Sequence, residues 1–476
     1  MDRQDLVGII IVTWNKEKFV LELLESLSKL DYQNYEINVI DNASEDSTVK
    51  SIKKRFPHVN LIENKENLGG SGGFNTGMRF ALSYKNYDYI WLLDNDAYVE
   101  PATLTWLIKT MKIDTSIGIV GSLICHPDNK DTVVEQGGMV NWNYGIWDTC
   151  HRNEKKTQLK QAIKDVDYVA ACSMLIRPLV LKTAGIFDEK MFVHWDDVEF
   201  CLRAKRNGFR VVATKNSVIY HYAEKNRPLV FGYYDLRNAF LTMSYHLKRS
   251  KQKIAFLLQL RRLMKVIVFA KIFNEKKLHQ VIKPSLDDFL NHIFYRFSYT
   301  LDSKGLNTAL PKRISPYLYK NFIILPYGTF SEMIECAEQI KSNSNDSKIT
   351  LMIQKERVCL IENEKLFDSI VTFRPLRANI FYTLMQIIKL SFSKYDVGVI
   401  ASTKILLPVY AVSFKSNIIF NKEDKSFYLS KYNRSGLWKI VYASIVGEIL
   451  ALYNLPKVIS SSKLLQSNKP DYQIFK

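Results

Sequence analysis

The sequence predicts an α/β chain with a mostly parallel central sheet, followed by a basic helical segment and a smaller C-terminal α/β domain. Three observations predict it. Strand and helix signals alternate through the first part of the chain, several strand candidates are unbroken apolar runs, and the alternation resumes near residue 320. The 476 residues are enough for two or three domains, and 47% hydrophobic with 24% charged residues excludes disordered and fibrous classes. Lys plus Arg is 66 and Asp plus Glu is 48, a net charge of +18 that favours polyanionic partners: nucleotide phosphates, nucleic acid or an anionic membrane surface.

The elements follow in order. LVGIIIVTW is a β-branched run that reads as a strand buried on both faces. Asn15 is the expected cap of a helix in which Phe19, Val20, Leu23, Leu24 and Leu27 recur at helical spacing. EINVID is the next strand, and SEDSTVKSIKKRF a helix opened by Ser44 and two acids. VNLIEN is a third strand, a glycine-rich loop leads into helix TGMRFALSY, and YIWLLDND is a fourth strand. Repeated β-α-β units imply parallel pairing, and ligands then bind beyond the carboxyl ends of the strands, where Asp41 and Asp94 stand. A mixed region with Gly-Gly turns and the helix DDVEFCLRAKRNG completes a first domain over 1–225.

Residues 226–300 read as helical and basic. Between Lys248 and Lys283 there are eleven Lys or Arg against one acid, Glu275, interleaved with apolar groups. Solvated surface helices and a face lying on anionic lipid both fit that composition. LDSKGLNTALPKRISP reads as a linker. The strands NFIILPYG, KITLMI, DSIVTF and DVGVIAS, with helices FSEMIECAEQI and NIFYTLMQIIKL, then form the C-terminal α/β domain over 301–476. It carries no glycine-rich phosphate loop and no recognisable acid–base cluster. The six cysteines are widely spaced without a CxxC pair, which fits a reducing cytoplasm. The N-terminus lacks the pattern of a signal peptide, and no stretch reaches the ~18 uninterrupted apolar residues of a spanning helix. The expectation is a cytoplasmic chain.

Four features carry chemistry. Asp94-Asn95-Asp96 ends a strand, where two carboxylates one residue apart can share a hard cation and the phosphates it bridges; a polar turn with a helix cap fits the same residues. Asn67-Leu68-Gly69-Gly70-Ser71-Gly72-Gly73-Phe74-Asn75-Thr76-Gly77 packs five glycines between a strand and a helix, open enough for backbone amides to reach a phosphate, yet it is neither a Walker A loop nor G-x-G-x-x-G. Asp196 and Asp197 open a helix beside Trp195, more acid than capping requires, and a carboxylate against an aromatic wall suits a general base. His221 follows an apolar strand, where it can be structural or a third metal ligand with the Asp-x-Asp pair.

In that order, IIIVTWN, VIDNASEDST, NLGGSGGFNTGM, LLDNDA and WDDVEFCLRA resemble the inverting family-two glycosyltransferases of GT-A fold. The likeness covers residues 6–225 and is greatest to bacterial galactofuranosyltransferases and rhamnosyltransferases of cell-wall, capsule or O-antigen polysaccharide synthesis. It implies that Thr13 and Asp41 hold the base and ribose of a UDP- or dTDP-sugar, and that Gly69, Gly70, Gly72 and Gly73 line its pyrophosphate and sugar. It further implies that Asp94, Asp96 and His221 bind Mg²⁺ or Mn²⁺, with Asp94 also near the ribose. Asp197 is then the catalytic base, and Trp195 and Asp196 bind the acceptor, a glycan or polyprenyl-diphosphate-linked glycan at the inner membrane face. Trp14 departs from the family, which carries a smaller aromatic there. A nucleotidyltransferase and a non-catalytic scaffold of a polysaccharide assembly complex are the alternatives. A nucleic-acid role is not expected, since no helix-turn-helix, zinc finger or RNP-like strand is present. Sugar, linkage and oligomeric state are left open by the sequence.

Overall fold

The computed structural model describes residues 4–142, 146–152, 154–222, 230–273, 275–297, 313–314, 319–325, 330–343, 346–354, 366–373, 390, 395–400, 417–421, 425–429 and 437–467. The chain divides into two compact units, one of Met1–Leu263, Gln280–Thr300 and Leu450–Lys476, the other of Met264–His279 and Leu301–Ile449.

The first unit holds strands β1 (Val7–Thr13), β2 (Tyr35–Asp41), β3 (Asn60–Glu63), β4 (Tyr89–Asp94), β5 (Ala97–Val99), β6 (Ile117–Cys125), β7 (Val133–Glu135), β8 (Gly138–Asn141), β9 (Ile146–Thr149), β10 (Ile163–Asp165), β11 (Ser173–Ile176) and β12 (Arg210–His221). Its helices are α1 (Glu17–Leu27), α2 (Thr48–Arg55), α3 (Gly69–Tyr84), α4 (Thr103–Lys112), α5 (Pro178–Ala184), α6 (Asp196–Arg206) and α7 (Val230–His246). Helix α8 (Arg249–Ile272) belongs to the first unit up to Leu263 and to the second from Met264, and α9 (Lys276–Leu290) to the second up to His279 and to the first from Gln280.

The main sheet has the order β10-β12-β6-β11-β4-β1-β2-β3. Pairs β1–β2, β1–β4, β2–β3 and β6–β12 are parallel, and β11 runs antiparallel between β4 and β6. This is the α/β class with a mostly parallel sheet that the alternation predicts. Val7, Ile9, Ile10 and Ile11 of β1 are fully buried, as a strand covered on both faces requires. Val20, Leu23, Leu24 and Leu27 form the buried stripe of α1, while Phe19 is half-buried at its margin. Because Thr13 pairs with Asp41 and Val12 with Asp94, three strands end side by side on one edge.

Three local expectations are corrected. Asn15 does not cap α1: it has φ +50°, and its side-chain oxygen accepts from the Glu45 amide while Lys16 takes the cap position. Ser44 does not open α2, which starts after Ser47; the Ser44 hydroxyl accepts from the Asn15 amide instead, so the two residues join two loops at the strand ends. The glycine-rich segment is not a loop. It winds into the first turns of α3 from Gly69 onward, because a Cβ at Gly73 would come within 2.5 Å of Val12 and one at Gly77 within 2.3 Å of Ile10. The glycines bring this helix close to β1, and that contact outweighs their weak helix propensity.

The second unit holds β13 (Arg313–Ile314), β14 (Asn321–Ile324), β15 (Lys348–Gln354), β16 (Ser369–Phe373), β17 (Val397–Ile400), β18 (Asn417–Asn421), β19 (Ser426–Leu429) and α10 (Phe330–Asn343); α11 (Leu437–Ser467) begins in it. Its sheet has the order β13-β19-β18-β17-β14-β15-β16, and β16 to β18 are all parallel. The strand order therefore reverses direction between β14 and β17, as in doubly wound sheets. Phe322, Ile324, Cys336, Leu351 and Val399 form its core. The expected strands here are β14 to β17 and the first expected helix is α10; NIFYTLMQIIKL, except Leu390, and the linker, except Arg313–Ile314, lie outside the described residues. Among the described residues five cysteines are free and buried, and no helix is long and apolar enough to cross a membrane.

Candidate active site

The carboxyl edge of the main sheet collects the acids. Asp94 ends β4, Asp96 sits in the turn to β5, and His221 ends β12, where it pairs in register with Ala97 of β5. The pairing of β12 with β5, which follows β4 after a short turn, thus brings His221 back to residues far earlier in the chain. Its Nε2 lies 2.9 Å from Asp96 Oδ1 and 3.7 Å from Asp94 Oδ2, and one ligand atom from each of the three residues falls within a 4.8 Å span. Two carboxylates and an imidazole at that spacing fit a divalent cation such as Mg²⁺ or Mn²⁺. Burial and the neighbouring Asp96 charge hold the Asp94 carboxyl above the usual carboxylate range. Burial also opposes charge on Asp96, but the hydrogen bond and charge of His221 outweigh it and hold that carboxyl low. The imidazole, although buried, is raised to about 9 by Asp96 and Asp94. Three groups sharing one proton network in this way are arranged for a cation to replace that proton.

On the neighbouring strands, Thr13 is buried and its hydroxyl accepts from the Asn95 amide at 3.1 Å. Asp41 is buried too. One of its oxygens accepts from the Ser44 amide at 2.9 Å, and the other, Oδ1, finds no donor among the described residues. A buried acceptor left without a donor is costly unless a ligand supplies one.

The acid pair at the start of α6 comes from the other direction. Residues leading into it adopt left-handed backbone, with φ +63° at Phe192, +64° at His194 and +68° at Trp195. Trp195 occupies the cap position of α6 with its ring enclosed, 1% exposed. Asp196 is buried and accepts from the Ser71 hydroxyl at 2.8 Å. Asp197 accepts from the Val198 amide at 2.7 Å and the Ala171 amide at 3.3 Å. Burial, then the charges of Asp196 and Glu135, push the Asp197 carboxyl well above its ordinary value. A carboxylate raised in this way takes a proton more readily.

The glycine turn meets this pair. Gly69 has φ +72°, and a Cβ there would stand 2.2 Å from the Phe192 carbonyl oxygen; a Cβ on Gly70 would be 3.8 Å from Asp196 Oδ2. The Gly69 amide donates to Asn67 and the Ser71 amide to the Phe192 carbonyl, so those two amides of the first turn are engaged within the protein. Gly72 packs on Leu68 and Gly73 on Val12 and Asn42. The structure thus gathers Asp94, Asp96 and His221 into one cluster, and Ser71, Gly69, Gly70 and Asp196 into an adjoining one.

The sequence reading passed over Glu135. It is buried, 8% exposed, and its Oε1 finds no donor among the described residues. Burial raises its carboxyl to about 7, and it acts electrostatically on both Asp197 and His221. Burial, then the charges of Asp94, Glu135, Asp197 and Asp96, push the Cys172 thiol well above its ordinary value. In sequence the only hint of Glu135 is a lone acid in the apolar run VVEQGG.

With this geometry in place, comparison with known proteins identifies the first part of the chain. Residues 8–182 match the family described as Glycosyl transferase family 2. This part of the chain is a family 2 glycosyltransferase domain. Among curated relatives, galactofuranosyltransferase GlfT2 of Mycobacterium tuberculosis is 24% identical over 287 residues, which cover 56% of this chain and 43% of GlfT2. The chain thus spans less than half the length of that relative. N-acetylglucosaminyl-diphospho-decaprenol L-rhamnosyltransferase of the same organism is 22% identical over 241 residues, 46% of this chain and 76% of that protein. Among solved structures, a mannosyltransferase of Pyrobaculum calidifontis in complex with GDP-Man and Mn²⁺ aligns at TM-score 0.38 and 17% identity, covering 51% of this chain and 64% of that one.

Proposed function

We propose that the chain is a metal-dependent inverting glycosyltransferase. It moves a hexose of the galactofuranose, galactose or rhamnose class from a UDP- or dTDP-sugar to a hydroxyl of a growing, lipid-linked cell-surface glycan. The observation that carries this reading is the convergence of Asp94, Asp96 and His221, one ligand atom of each lying within 4.8 Å of the others. Residues 1–225, with α7 packed on them, form the catalytic domain, the basic residues between Lys248 and Lys283 meet an anionic membrane surface on the cytoplasmic side, and 301–476 is a domain of separate role. The galactofuranosyltransferase and decaprenol-linked rhamnosyltransferase relatives support the sugar and acceptor classes.

The residues divide the work. Thr13 and the open oxygen of Asp41 face the donor base, whose imide N–H answers the unmet Asp41 acceptor. Asp94, Asp96 and His221 hold a divalent cation, which when bound offsets negative charge developing on the departing nucleoside diphosphate. The close-packed turn of Gly69, Gly70, Gly72 and Gly73 lets the donor diphosphate and sugar approach the sheet edge beside Asp196. Asp196, fixed by Ser71, and Trp195 orient the acceptor. Asp197 takes the proton of the attacking hydroxyl; a single displacement with one base and no enzyme nucleophile inverts the anomeric centre.

The test is a panel of UDP- and dTDP-sugars screened with Mn²⁺ by thermal shift, then turned over with a lipid-linked glycan acceptor. A cognate donor should raise Tm in a concentration-dependent way, and turnover should release nucleoside diphosphate with inversion. Pyrophosphate release from a nucleoside triphosphate would establish the nucleotidyltransferase alternative instead.

A further inference from the structure

The acid pair depends on a backbone segment that should not hold its shape unaided. Phe192, His194 and Trp195 all have positive φ, a region that costs non-glycine residues of order 1 kcal/mol or more each. A chain turning in this way also cannot satisfy its carbonyl groups through a regular ladder, so buried donors must come from elsewhere.

They come from α7. Arg237, 0% exposed, donates through Nη2 to the Lys190 carbonyl at 2.9 Å and the Met191 carbonyl at 3.0 Å. Through Nη1 it reaches the Tyr295 carbonyl at 2.9 Å and the Tyr233 hydroxyl at 3.1 Å, and its Nε donates to Asn238 Oδ1 at 3.0 Å. Asn238, also 0% exposed, uses its amide nitrogen on the carbonyls of Met191 and Val193 at 2.9 Å and of His194 at 2.7 Å. About two turns of one helix thus address one loop: Phe231 stacks on His194 at 4.7 Å, Tyr234 stacks on Phe192 at 5.5 Å, and Asp235 bonds His194 Nδ1 at 2.9 Å. The guanidinium also lies over the rings of Tyr233, Tyr234 and Phe294. On the opposite side the loop is met by α3, where the Ser71 amide donates to the Phe192 carbonyl and Gly69 leaves room for it.

We propose that Arg237 and Asn238 are positioning residues for glycosyl transfer: they clamp the carbonyl groups of residues 190–194 so that the left-handed run cannot relax and Asp196–Asp197 enter α6 aimed at the acceptor. Neither residue touches substrate. Their effect passes through the backbone, as preorganisation of an acid pair requires. Arg is needed because its planar fork addresses several acceptors at once, which a lysine ammonium on a flexible stem does not. The turnover part of this proposal rests on the glycosyltransferase reading; the structural part does not.

The experiment uses full-length Arg237→Lys and Asn238→Ala, with Phe240→Leu as a control in the same helix whose ring packs on Phe256 and Phe289, away from the loop. Hydrogen exchange by mass spectrometry is followed over residues 190–198 and over 240–246. The clamp variants should exchange in the first stretch at least about 10-fold faster while the second stays near wild type, and Phe240→Leu should show the reverse. With donor and acceptor, kcat should fall about 10- to 100-fold at each clamp variant, with the Kd of UDP plus Mn²⁺ within about 2-fold of wild type, since the donor-side residues are untouched. Wild-type exchange in the loop of both clamp variants, or an equal loss of kcat in Phe240→Leu at equal loss of Tm, would overturn the proposal. Loop exchange as expected in a wild-type protein that releases no nucleoside diphosphate would instead defeat the functional reading and leave the clamp standing.

Discussion

Two carboxyls on α6, Asp197 and Glu199, stand within one turn of each other and are treated in opposite ways. Glu199, 1% exposed, receives the Arg203 guanidinium at 3.1 Å and 2.7 Å and His246 Nε2 at 3.0 Å. Arg203 in turn donates to the carbonyls of Ala184 and Ile186. Burial opposes the Glu199 charge, but Arg203 and His246 outweigh it and hold the carboxyl down at about 2. Among the described residues Asp197 meets no such cation and accepts only from backbone amides; burial and the charges of Asp196 and Glu135 drive it upward. The supply of countercharge separates them. Glu199 is neutralised by the fold, whereas the Asp197 carboxyl, in the same turn, is left without a countercharge among the described residues.

The largest effect should come from breaking the unneutralised carboxyl. Asp197→Asn keeps the shape and the amide contacts of the side chain but removes the proton acceptor. Turnover should fall about 10²- to 10⁴-fold. The Kd of UDP with Mn²⁺ should hold, and Tm should stay level or rise because a strained buried charge is gone. Steady-state release of nucleoside diphosphate alongside calorimetric binding reads both. Wild-type turnover in this variant would remove Asp197 as the base and leave the contrast along α6 without a functional meaning.

The neutralised carboxyl should respond in the other currency of measurement. Glu199→Gln strands the Arg203 charge inside the protein, a loss on the order of 3–5 kcal/mol for a broken buried pair. The midpoint of denaturant unfolding should drop accordingly, while kcat per folded molecule remains within about 3-fold of wild type. A variant that folds as well as wild type but turns over as poorly as Asp197→Asn would show that both carboxyls serve catalysis, and the comparison would fail.

How much of this was readable beforehand follows the range of the interactions involved. Unbroken runs such as VGIIIVT and YIWLLD identify buried strands because burial on both faces is written in adjacent residues. The acids Asp94, Asp96, Asp196 and Asp197 and His221 stand out by position, at the ends of apolar strands and in an acid pair larger than helix capping requires. Local rules failed where a distant contact decided the outcome. The glycine run became helix because β1 lies against it, and Asn15 and Ser44 bonded across loops rather than capping their own helices. Glu135, Arg237 and Asn238 carried no local signature, since their surroundings are assembled from β7, α7 and the loop before α6, which lie far apart in the chain. The second unit shows the converse: its parallel strands were legible, yet nothing in them specifies a reaction.

The smallest effect tests the contrast through pH. Glu135 is raised from an ordinary glutamate to about 7 by burial, so the folded protein holds its proton more tightly than the unfolded chain does. Its contribution is therefore fully present below pH 4 to 5 and is lost as pH rises through about 7. Glu199 runs the other way: its contribution is present above its ordinary value and is lost as pH falls towards about 2. Glu135→Gln, neutral throughout, should match or fall slightly below wild type in Tm at pH 5 and exceed it by pH 8. The swing should be on the order of 1–2 kcal/mol, or about 2–4 °C. Taking the difference between variant and wild type removes the chain-wide repulsion of a +18 protein, which both share. Mn²⁺ should shrink the swing, because a cation held near these carboxyls favours their charged forms. A difference that stays flat from pH 5 to 8 would mean that Glu135 is neutralised after all, and that it, like Glu199, is supplied with its own countercharge.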